Sequence, residues 1–317
     1  MAAITVDRLR KHYGSLVAVD DLSFSVEQGE VFALLGPNGA GKTTTVEILE
    51  GHRQRTAGHV DVLGHDPQAG GRAYRERIGI VLQEAGFDEE FTVRELVRLY
   101  GGMYPRRRDV DEVIDAVGLA EKRTARVKTL SGGQRRRLDL ALGLVGAPEL
   151  LFLDEPTTGF DPTARRRAWE LVESLREEGT TVLLTTHYLD EAEHLADRVG
   201  VVVHGRLVAL GSPDELGAGH RAAVVSFRLP AGWEGADLPR LDGVPTVEGL
   251  EWKLSTDHPT EALHALTAWA LERQIEIPAL SVNRPSLEDV YLDLVRASSP
   301  ADEAARDTSV VTAGGPS

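Results

Sequence analysis

The sequence predicts an α/β fold for the N-terminal two thirds of the chain. Short strand-like runs alternate there with helical patterns, a rhythm typical of parallel strands joined by crossover helices. Four runs are continuously apolar, as expected for strands covered on both faces, and they span residues 31–35, 78–82, 150–153 and 181–184. The first run ends in a glycine-rich turn that leads into a helical pattern over residues 42–49. We therefore expect the chemistry to lie at the carboxyl ends of these strands.

The periodicity becomes almost wholly helical between residues 84 and 144. This stretch predicts a helical subdomain inserted into a first domain of residues 1–217. Turn-forming residues around Gly211 and Gly217 mark the end of that domain.

A smaller α+β domain is predicted over residues 218–296. Its elements are expected in the order β-β-α-β-α, with strands over 222–229 and 247–254, a helix over 261–273, a strand over 275–282 and a helix over 287–295. The last segment, residues 297–317, is small, polar and aperiodic, which predicts a disordered tail.

Composition narrows the function classes. No apolar run approaches the roughly 18 to 20 residues that span a bilayer, and the first residues lack the apolar core of a signal peptide, so we expect a cytoplasmic protein. The absence of cysteine excludes disulfides, thiolate metal sites and a cysteine nucleophile. The formal net charge of -15 opposes binding to phosphate backbones, so nucleic acid is not expected as a partner.

The turn after the first apolar run matches the pattern G-x-x-x-x-G-K-[ST] in its required strand-to-helix context. Its residues are Gly36, Pro37, Asn38, Gly39, Ala40, Gly41, Lys42 and Thr43, followed by Thr44. Glycines allow the backbone N–H groups to point inward, the helix directs its positive end at the same place, and Lys42 adds a full charge. Such a loop binds a polyphosphate, and the Thr43 hydroxyl suits the Mg²⁺ that accompanies a nucleotide.

Two adjacent carboxylates follow the apolar run over residues 150–153. Asp154 and Glu155 stand at the carboxyl end of a buried strand, where open α/β sheets place their ligands. Asp154 suits a Mg²⁺ held through its water shell, and Glu155 suits a residue that polarises the attacking water. The pair is a weak signal alone and a strong one beside the phosphate loop.

The segment Leu130-Ser131-Gly132-Gly133-Gln134 is where the sequence resembles the ATP-binding-cassette (ABC) ATPase family. Ser131 is placed to cap a helix, and Gly132 and Gly133 would expose backbone N–H groups at its start, which makes a second anion site. The resemblance implies a head-to-tail dimer, in which this loop, including Gln134, closes over the ATP held by the phosphate loop of a second copy.

Four further positions of that family have counterparts in the expected order. The resemblance implies that Tyr13 stacks on adenine, that Gln83 senses Mg²⁺ and the attacking water, that Asp161 contacts the opposite protomer, and that His187 contacts the γ-phosphate. Glu155, His187, Gln83 and Lys42 would then be the catalytic set, with Thr43, Gln83 and Asp154 at the metal.

The C-terminal domain bears on the kind of ABC protein. Its terminal Pro285-Ser286-Leu287-Glu288-Asp289-Val290-Tyr291 resembles the extension of drug-exporter ATPases of the daunorubicin-resistance type. The resemblance implies a separately encoded permease of the ABC-2 type and a place at the inner face of the membrane. An importer ATPase is an alternative, although its usual C-terminal addition is larger and richer in β-structure. A soluble ABC protein acting on ribosomes or DNA, and a P-loop kinase or nucleotide sensor, are further alternatives.

Overall fold

The computed structural model describes residues 1–81, 88–218, 223–230, 233, 238–243, 245–283 and 287–297. The strands are β1 (Ala2–Tyr13), β2 (Leu16–Glu27), β3 (Val31–Leu35), β4 (Ala57–Val62), β5 (Ile78–Val81), β6 (Leu150–Asp154), β7 (Thr181–Thr185), β8 (Arg198–Val203), β9 (Arg206–Gly211), β10 (Ala223–Arg228), β11 (Thr246–Glu248), β12 (Glu251–Thr256) and β13 (Ser281–Asn283). The helices are α1 (Lys42–Leu49), α2 (Gly71–Arg75), α3 (Val93–Gly101), α4 (Val110–Ala116), α5 (Gly132–Leu144), α6 (Pro162–Glu177), α7 (Leu189–Leu195), α8 (Pro213–Ala218), α9 (Pro259–Glu272) and α10 (Leu287–Ala297).

The described chain forms two compact units, Met1–Ser212 and Pro213–Ala297. The boundary at residue 217 that the sequence predicts lies within α8, in the second unit. In the parts of the chain that the structure describes, every helix is too short or too polar to cross a lipid bilayer.

A six-stranded sheet organises the first unit, in the order β5-β6-β7-β3-β8-β9. Its first five strands are parallel and β9 runs antiparallel to β8, so the predicted α/β class is confirmed. The four predicted apolar runs are β3, β5, β6 and β7, which are neighbours in this sheet. Because they are parallel, their carboxyl ends meet at one edge, which positions the residues that follow them.

An N-terminal antiparallel sheet, in the order β2-β1-β4, was not predicted from the alternation of strands and helices. The signal was present, because β2 alternates buried Leu22, Phe24 and Val26 with polar residues, the period of a half-buried strand. The Phe24 ring stacks on Phe32 of β3 with centroids 5.2 Å apart and joins the two sheets in one core. Truncating Phe32 to alanine would cost roughly 3 to 5 kcal/mol.

The region between residues 88 and 144 is helical, as its periodicity predicts, and contains α3, α4 and α5. The end of α5 lies against β5 because glycine permits a close approach there: a Cβ on Gly79 would stand 2.3 Å from the carbonyl oxygen of Gly143. This contact attaches α5 to the edge of the six-stranded sheet.

The second unit is an antiparallel sheet, in the order β11-β12-β10-β13, with α9 packed on β10. Phe227, Leu254 and Leu266 are fully buried in its core. Two sequence predictions were wrong here. The single strand expected over 247–254 is the hairpin of β11 and β12, because the chain turns at Gly249, whose φ is 62°. The strand expected over 275–282 is reduced to β13.

After α8, the order of elements in this unit is therefore β-β-β-α-β-α rather than β-β-α-β-α. The shortened last strand follows from Pro278, which cannot donate to a strand ladder, and from the left-handed backbone of Ala279, whose φ is 54°. The tail predicted over 297–317 lies outside the described residues, apart from Ala297, which ends α10.

Candidate functional site

An open cavity of about 740 Å³ lies at the carboxyl edge of the six-stranded sheet. Its lining consists of Tyr13, Leu16, Val17, Ala18, Asn38, Gly39, Ala40, Gly41, Lys42, Thr43, Thr44, Asp154, Glu155 and His187. Most site residues predicted from the sequence are thus brought into one cavity. Gly36 and Pro37 begin the loop behind it, Ser131–Gln134 and Asp161 are not part of the lining, and Gln83 lies outside the described residues.

The phosphate loop connects β3 to α1. Gly41, whose φ is 101°, could not be another residue without strain, because a Cβ there would stand 2.4 Å from the carbonyl oxygen of Ala18. Among the described residues no side chain caps the start of α1, which leaves its first N–H groups available to an anion.

Lys42 lies nearly buried within this loop. Its Nζ donates to the carbonyl oxygens of Gly36 at 2.6 Å and Pro37 at 3.2 Å, so the ammonium group holds the loop closed around itself. Burial lowers the pKa of Lys42, and the negative charges of Glu155 and Asp154 oppose that shift. The lysine therefore places a cation opposite the carboxylates, at the position that suits a phosphate chain.

Asp154 and Glu155 extend from β6 toward the same space. Asp154 Oδ1 accepts a hydrogen bond from the Thr185 hydroxyl of β7. Glu155 has a left-handed backbone with φ of 47°, and its N–H donates to the carbonyl oxygen of Thr185 at 3.0 Å. Its side chain is only 17% exposed, and Oε1 lies 3.3 Å from Nδ1 of the half-exposed His187. A carboxylate and an imidazole thus meet at the cavity wall facing the phosphate loop.

The oxygen ligands in the cavity fit a magnesium ion. Asp154 offers a carboxylate and Thr43 a hydroxyl, both hard oxygen ligands. Among the described residues, no three histidine, aspartate or glutamate side chains form a metal cluster. Mg²⁺ matches this sparse set, because it is usually held by one or two protein oxygens together with substrate phosphates and water.

The far end of the cavity is aromatic and apolar. Tyr13 is 38% exposed, and the side chains of Leu16 and Val17 are exposed beside it. Lys11 Nζ lies 4.7 Å from the centre of the Tyr13 ring and holds one side of it. A flat ring with an aliphatic neighbourhood suits the face of a nucleobase.

The Ser131–Gln134 segment forms the first turn of α5 away from this cavity. The Ser131 hydroxyl accepts from the N–H of Gln134 at 3.3 Å, and the Gln134 side chain accepts from the N–H of Ser131 at 3.0 Å. The predicted N-cap is therefore confirmed as a complete capping box. Within the described part of the chain, a Cβ on Gly132 or Gly133 would meet no atom within 4 Å other than those of its own helix turn, so this helix start faces open space.

Asp161 is exposed and caps α6, with its Oδ1 accepting from the N–H of Ala164 at 2.9 Å. Phe160 beside it is buried. This N-cap bond explains why an acidic residue suits this position within a single protomer. It uses one carboxylate oxygen of Asp161 and leaves the second oxygen available for another contact.

Sequence reasoning missed Arg136, which stands in the middle of the triplet Arg135-Arg136-Arg137. The middle residue is buried and donates to the backbone carbonyl of Glu155. The sequence offered no clear signal for it, because every residue from Leu138 to Leu144 is buried and no single apolar face of α5 marks the position of Arg136.

Comparison with known protein families finds two matches along the chain. Residues 19–158 match the family model described as ABC transporter. Residues 223–286 match the model of an ABC transporter domain-containing protein-like C-terminal domain.

Curated relatives extend over nearly the whole chain. The daunorubicin resistance ATP-binding protein DrrA3 of Streptomyces coeruleorubidus is 42% identical, over 96% of this chain and 99% of that protein. The Nod factor export ATP-binding protein I of Rhizobium sp. (strain N33) is 40% identical, over 92% and 96%. The linearmycin resistance ATP-binding protein LnrL of Bacillus subtilis is 34% identical, over 92% and 97%.

Solved structures share the fold over about two thirds of the chain. An ATP-binding subunit of an ABC transporter superposes with a TM-score of 0.63 at 26% identity, covering 68% of this chain and 91% of that one. A dimeric ATP-binding cassette in a post-hydrolysis state, bound to ADP and Pi, superposes with a TM-score of 0.61 at 22% identity, covering 66% and 98%.

Proposed function

The chain belongs to the ABC transporter family as the ATP-hydrolysing subunit of an exporter, and from that membership we propose how its residues hydrolyse ATP and which membrane partner the hydrolysis drives. The phosphate loop and Lys42 bind the β- and γ-phosphates, and Tyr13 stacks on the base. Glu155 orients and polarises a water molecule for in-line attack on the γ-phosphate, and His187 contacts that phosphate. Mg²⁺, held by Thr43 and Asp154, supplies charge neutralisation for the phosphates when bound.

Gln83 belongs to the same proposal, as the residue that senses Mg²⁺ and the attacking water. Its support comes from the sequence alone, because it follows the β5 run. Little covalent chemistry is required of the protein, since positioning and charge stabilisation supply most of the acceleration in phosphoryl transfer.

The observation that carries this mechanism is the 3.3 Å contact between Glu155 and His187 across from the phosphate loop. We expect Glu155→Gln to bind ATP normally and to lose phosphate release by roughly a hundredfold or more, because the amide cannot accept a proton from water. Exposed Glu170→Gln on α6 is the matched control. Near-normal phosphate release from Glu155→Gln would remove Glu155 from the role of base.

We propose that the active form is a head-to-tail dimer of two copies. Ser131, Gly132, Gly133 and Gln134 form an anion site away from the chain's own cavity, and this open helix start suits the γ-phosphate of ATP held by a second copy. Asp161 would contact the opposite protomer with its free carboxylate oxygen. In this arrangement, Glu155→Gln should accumulate an ATP-bound dimer that sedimentation can measure.

We propose a separately encoded ABC-2 type permease as the membrane partner, and a place for this chain at the cytoplasmic face of the membrane. The support is the similarity to proteins named for daunorubicin and linearmycin resistance, so hydrophobic drugs or antibiotics are the proposed cargo. The test is reconstitution in vesicles with the genetically adjacent membrane protein and a fluorescent hydrophobic drug. ATP-dependent movement away from the ATP side supports export of drugs. Hydrolysis that responds to ribosomes or nucleic acid instead would reject the permease.

A further inference from the structure

Arg136 links the helix that begins with the Ser131–Gln134 segment to the backbone of the proposed catalytic carboxylate. Its side chain is directed from α5 onto three consecutive carbonyl oxygens. Nη2 donates to the carbonyl oxygens of Asp154 and Glu155, the latter at 2.9 Å, and Nε donates to that of Pro156 at 3.4 Å. A planar guanidinium group can make several such bonds at once, whereas an ammonium group cannot match this geometry.

The backbone that Arg136 holds is in an uncommon conformation. Glu155 has a φ of 47°, in the left-handed region that residues other than glycine enter at a cost. Such a conformation persists only where its surroundings determine it. Thr185 supports the peptide from the sheet by accepting from the N–H of Glu155 at 3.0 Å, and Arg136 supports it from α5.

Arg136 is also costly to bury, which argues for a specific requirement. It is 8% exposed, and burial lowers the pKa of its guanidinium group. Its neighbour at helical spacing, Asp139, is equally buried, and burial raises the pKa of Asp139 to about 7 although Arg136 opposes that shift. Hydrophobic side chains would fill this volume at lower cost, so stability alone is a weak reason for a charged pair here.

We infer that Arg136 is a positioning residue that fixes the backbone of Glu155 and thereby aims its carboxylate at the attacking water. The inference rests on the proposed role of Glu155. Arg136 lies on α5, whose first turn is the proposed site for the nucleotide of the second copy. In the proposed dimer, the same side chain therefore connects the helix that closes on the ATP of the second copy to the carboxylate that acts on the ATP of its own copy.

The test is Arg136→Lys in the full chain, which keeps the charge opposite Asp139 but loses the planar set of donors. We expect kcat for ATP hydrolysis to fall by about tenfold to a hundredfold, because small misplacements of a reacting group have effects of this size. KM for ATP should stay within about twofold, because no phosphate-binding group changes. The matched control is Arg77→Lys at the opposite edge of the sheet.

Arg77 provides this control because it makes comparable bonds far from the cavity. It donates to the Leu63 carbonyl oxygen at 2.8 Å and to both carboxylate oxygens of Glu149. Its lysine variant should lose stability without losing kcat. The double variant Arg136→Met with Asp139→Asn removes both buried ionisable groups, so it should fold even where the single change does not, and it should show the same loss of kcat.

The outcomes separate this inference from the proposed function. Loss of kcat at nearly constant KM in either Arg136 variant, with Arg77→Lys unaffected, supports it. Wild-type kcat per folded molecule in those variants, accompanied only by a lower melting temperature, would make Arg136 a structural residue and overturn the inference. Near-normal hydrolysis by Glu155→Gln would instead reject the proposed mechanism, whatever the Arg136 variants do.

Discussion

Two glutamates of the cassette illustrate how surroundings decide the behaviour of a single side chain. Glu155 opens onto the cavity at the end of β6, whereas the side chain of Glu50, just after α1, is only 2% exposed. Burial, with help from the negative charges of Asp154 and Glu47, raises the pKa of Glu50 to about 8. His52 Nδ1 lies 3.2 Å from its Oε2 and supplies one hydrogen-bond partner. Glu50 is therefore mostly protonated in the folded protein at neutral pH.

This environment predicts a pH-dependent stability. Between the ordinary pKa near 4.5 and about 8, the unfolded chain ionises Glu50 while the folded chain keeps it protonated, so the folded state binds more protons. The free energy of unfolding should therefore fall as pH rises through this window. Glu50→Gln removes the effect and should exceed the wild type in stability at pH 8 by at most about 4 kcal/mol, with little difference near pH 5.

Urea unfolding at pH 5, 6.5 and 8, in the presence of EDTA, measures this difference. Glu177→Gln on the exposed face of α6 is the control and should leave the pH dependence unchanged. A Glu50→Gln variant whose stability follows the wild-type pH profile would show that Glu50 is ionised in the folded protein.

At the scale of elements, two helices of the first unit begin in the same way and face different surroundings. Thr92 with Glu95 caps α3, and Ser131 with Gln134 caps α5, each as a complete capping box. The start of α5 carries two glycines that leave space in front of it. Helix initiation is thus common to both, whereas anion binding is proposed only for α5.

This pair of caps allows a stability effect to be separated from a functional one. Thr92→Ala and Ser131→Ala should each lower the free energy of unfolding by about 1 kcal/mol. Only Ser131→Ala should weaken ATP-dependent dimerisation, by roughly tenfold, the equivalent of one hydrogen bond to a charged group. Sedimentation velocity with ATP, in the Glu155→Gln background, measures the dimerisation of both alanine variants. Equal dimerisation in the two alanine variants would exclude the α5 start from the dimer interface.

At the scale of the whole molecule, the described chain consists of two units that each have a hydrophobic core. All the described residues that line the cavity belong to the first unit. Within the second unit α8 packs against α10, so a truncation should remove α8 together with the rest of that unit. The chain ending at Ser212 is therefore a better choice than one ending at residue 217.

We expect this truncated chain to fold cooperatively and to bind ATP with a Kd within about twofold of that of the full chain, because its core and cavity are intact. Isothermal titration with ATP and a thermal melt are the measurements. A loss of affinity of tenfold or more in a chain that melts normally would show that the second unit contributes to nucleotide binding.

The parts of the candidate site could be predicted from the sequence because they are short and contiguous. The loop from Gly36 to Thr43, the cap of α5 and the pair Asp154–Glu155 each depend on local backbone geometry, so residue type and spacing are sufficient to recognise them. The apolar runs also identified β3, β5, β6 and β7, because strands buried on both faces have a distinctive composition.

Tertiary structure decided what depends on contacts between distant segments. The N-terminal sheet required the pairing of β1 with β4, and the pKa of Glu50 required its burial near Asp154. The support of Glu155 by Arg136 and Thr185 brings together residues 19 and 30 positions away in the sequence. Hydrogen bonds and burial depend on distances in space, and a linear pattern contains those distances only where the interacting residues are neighbours in the chain.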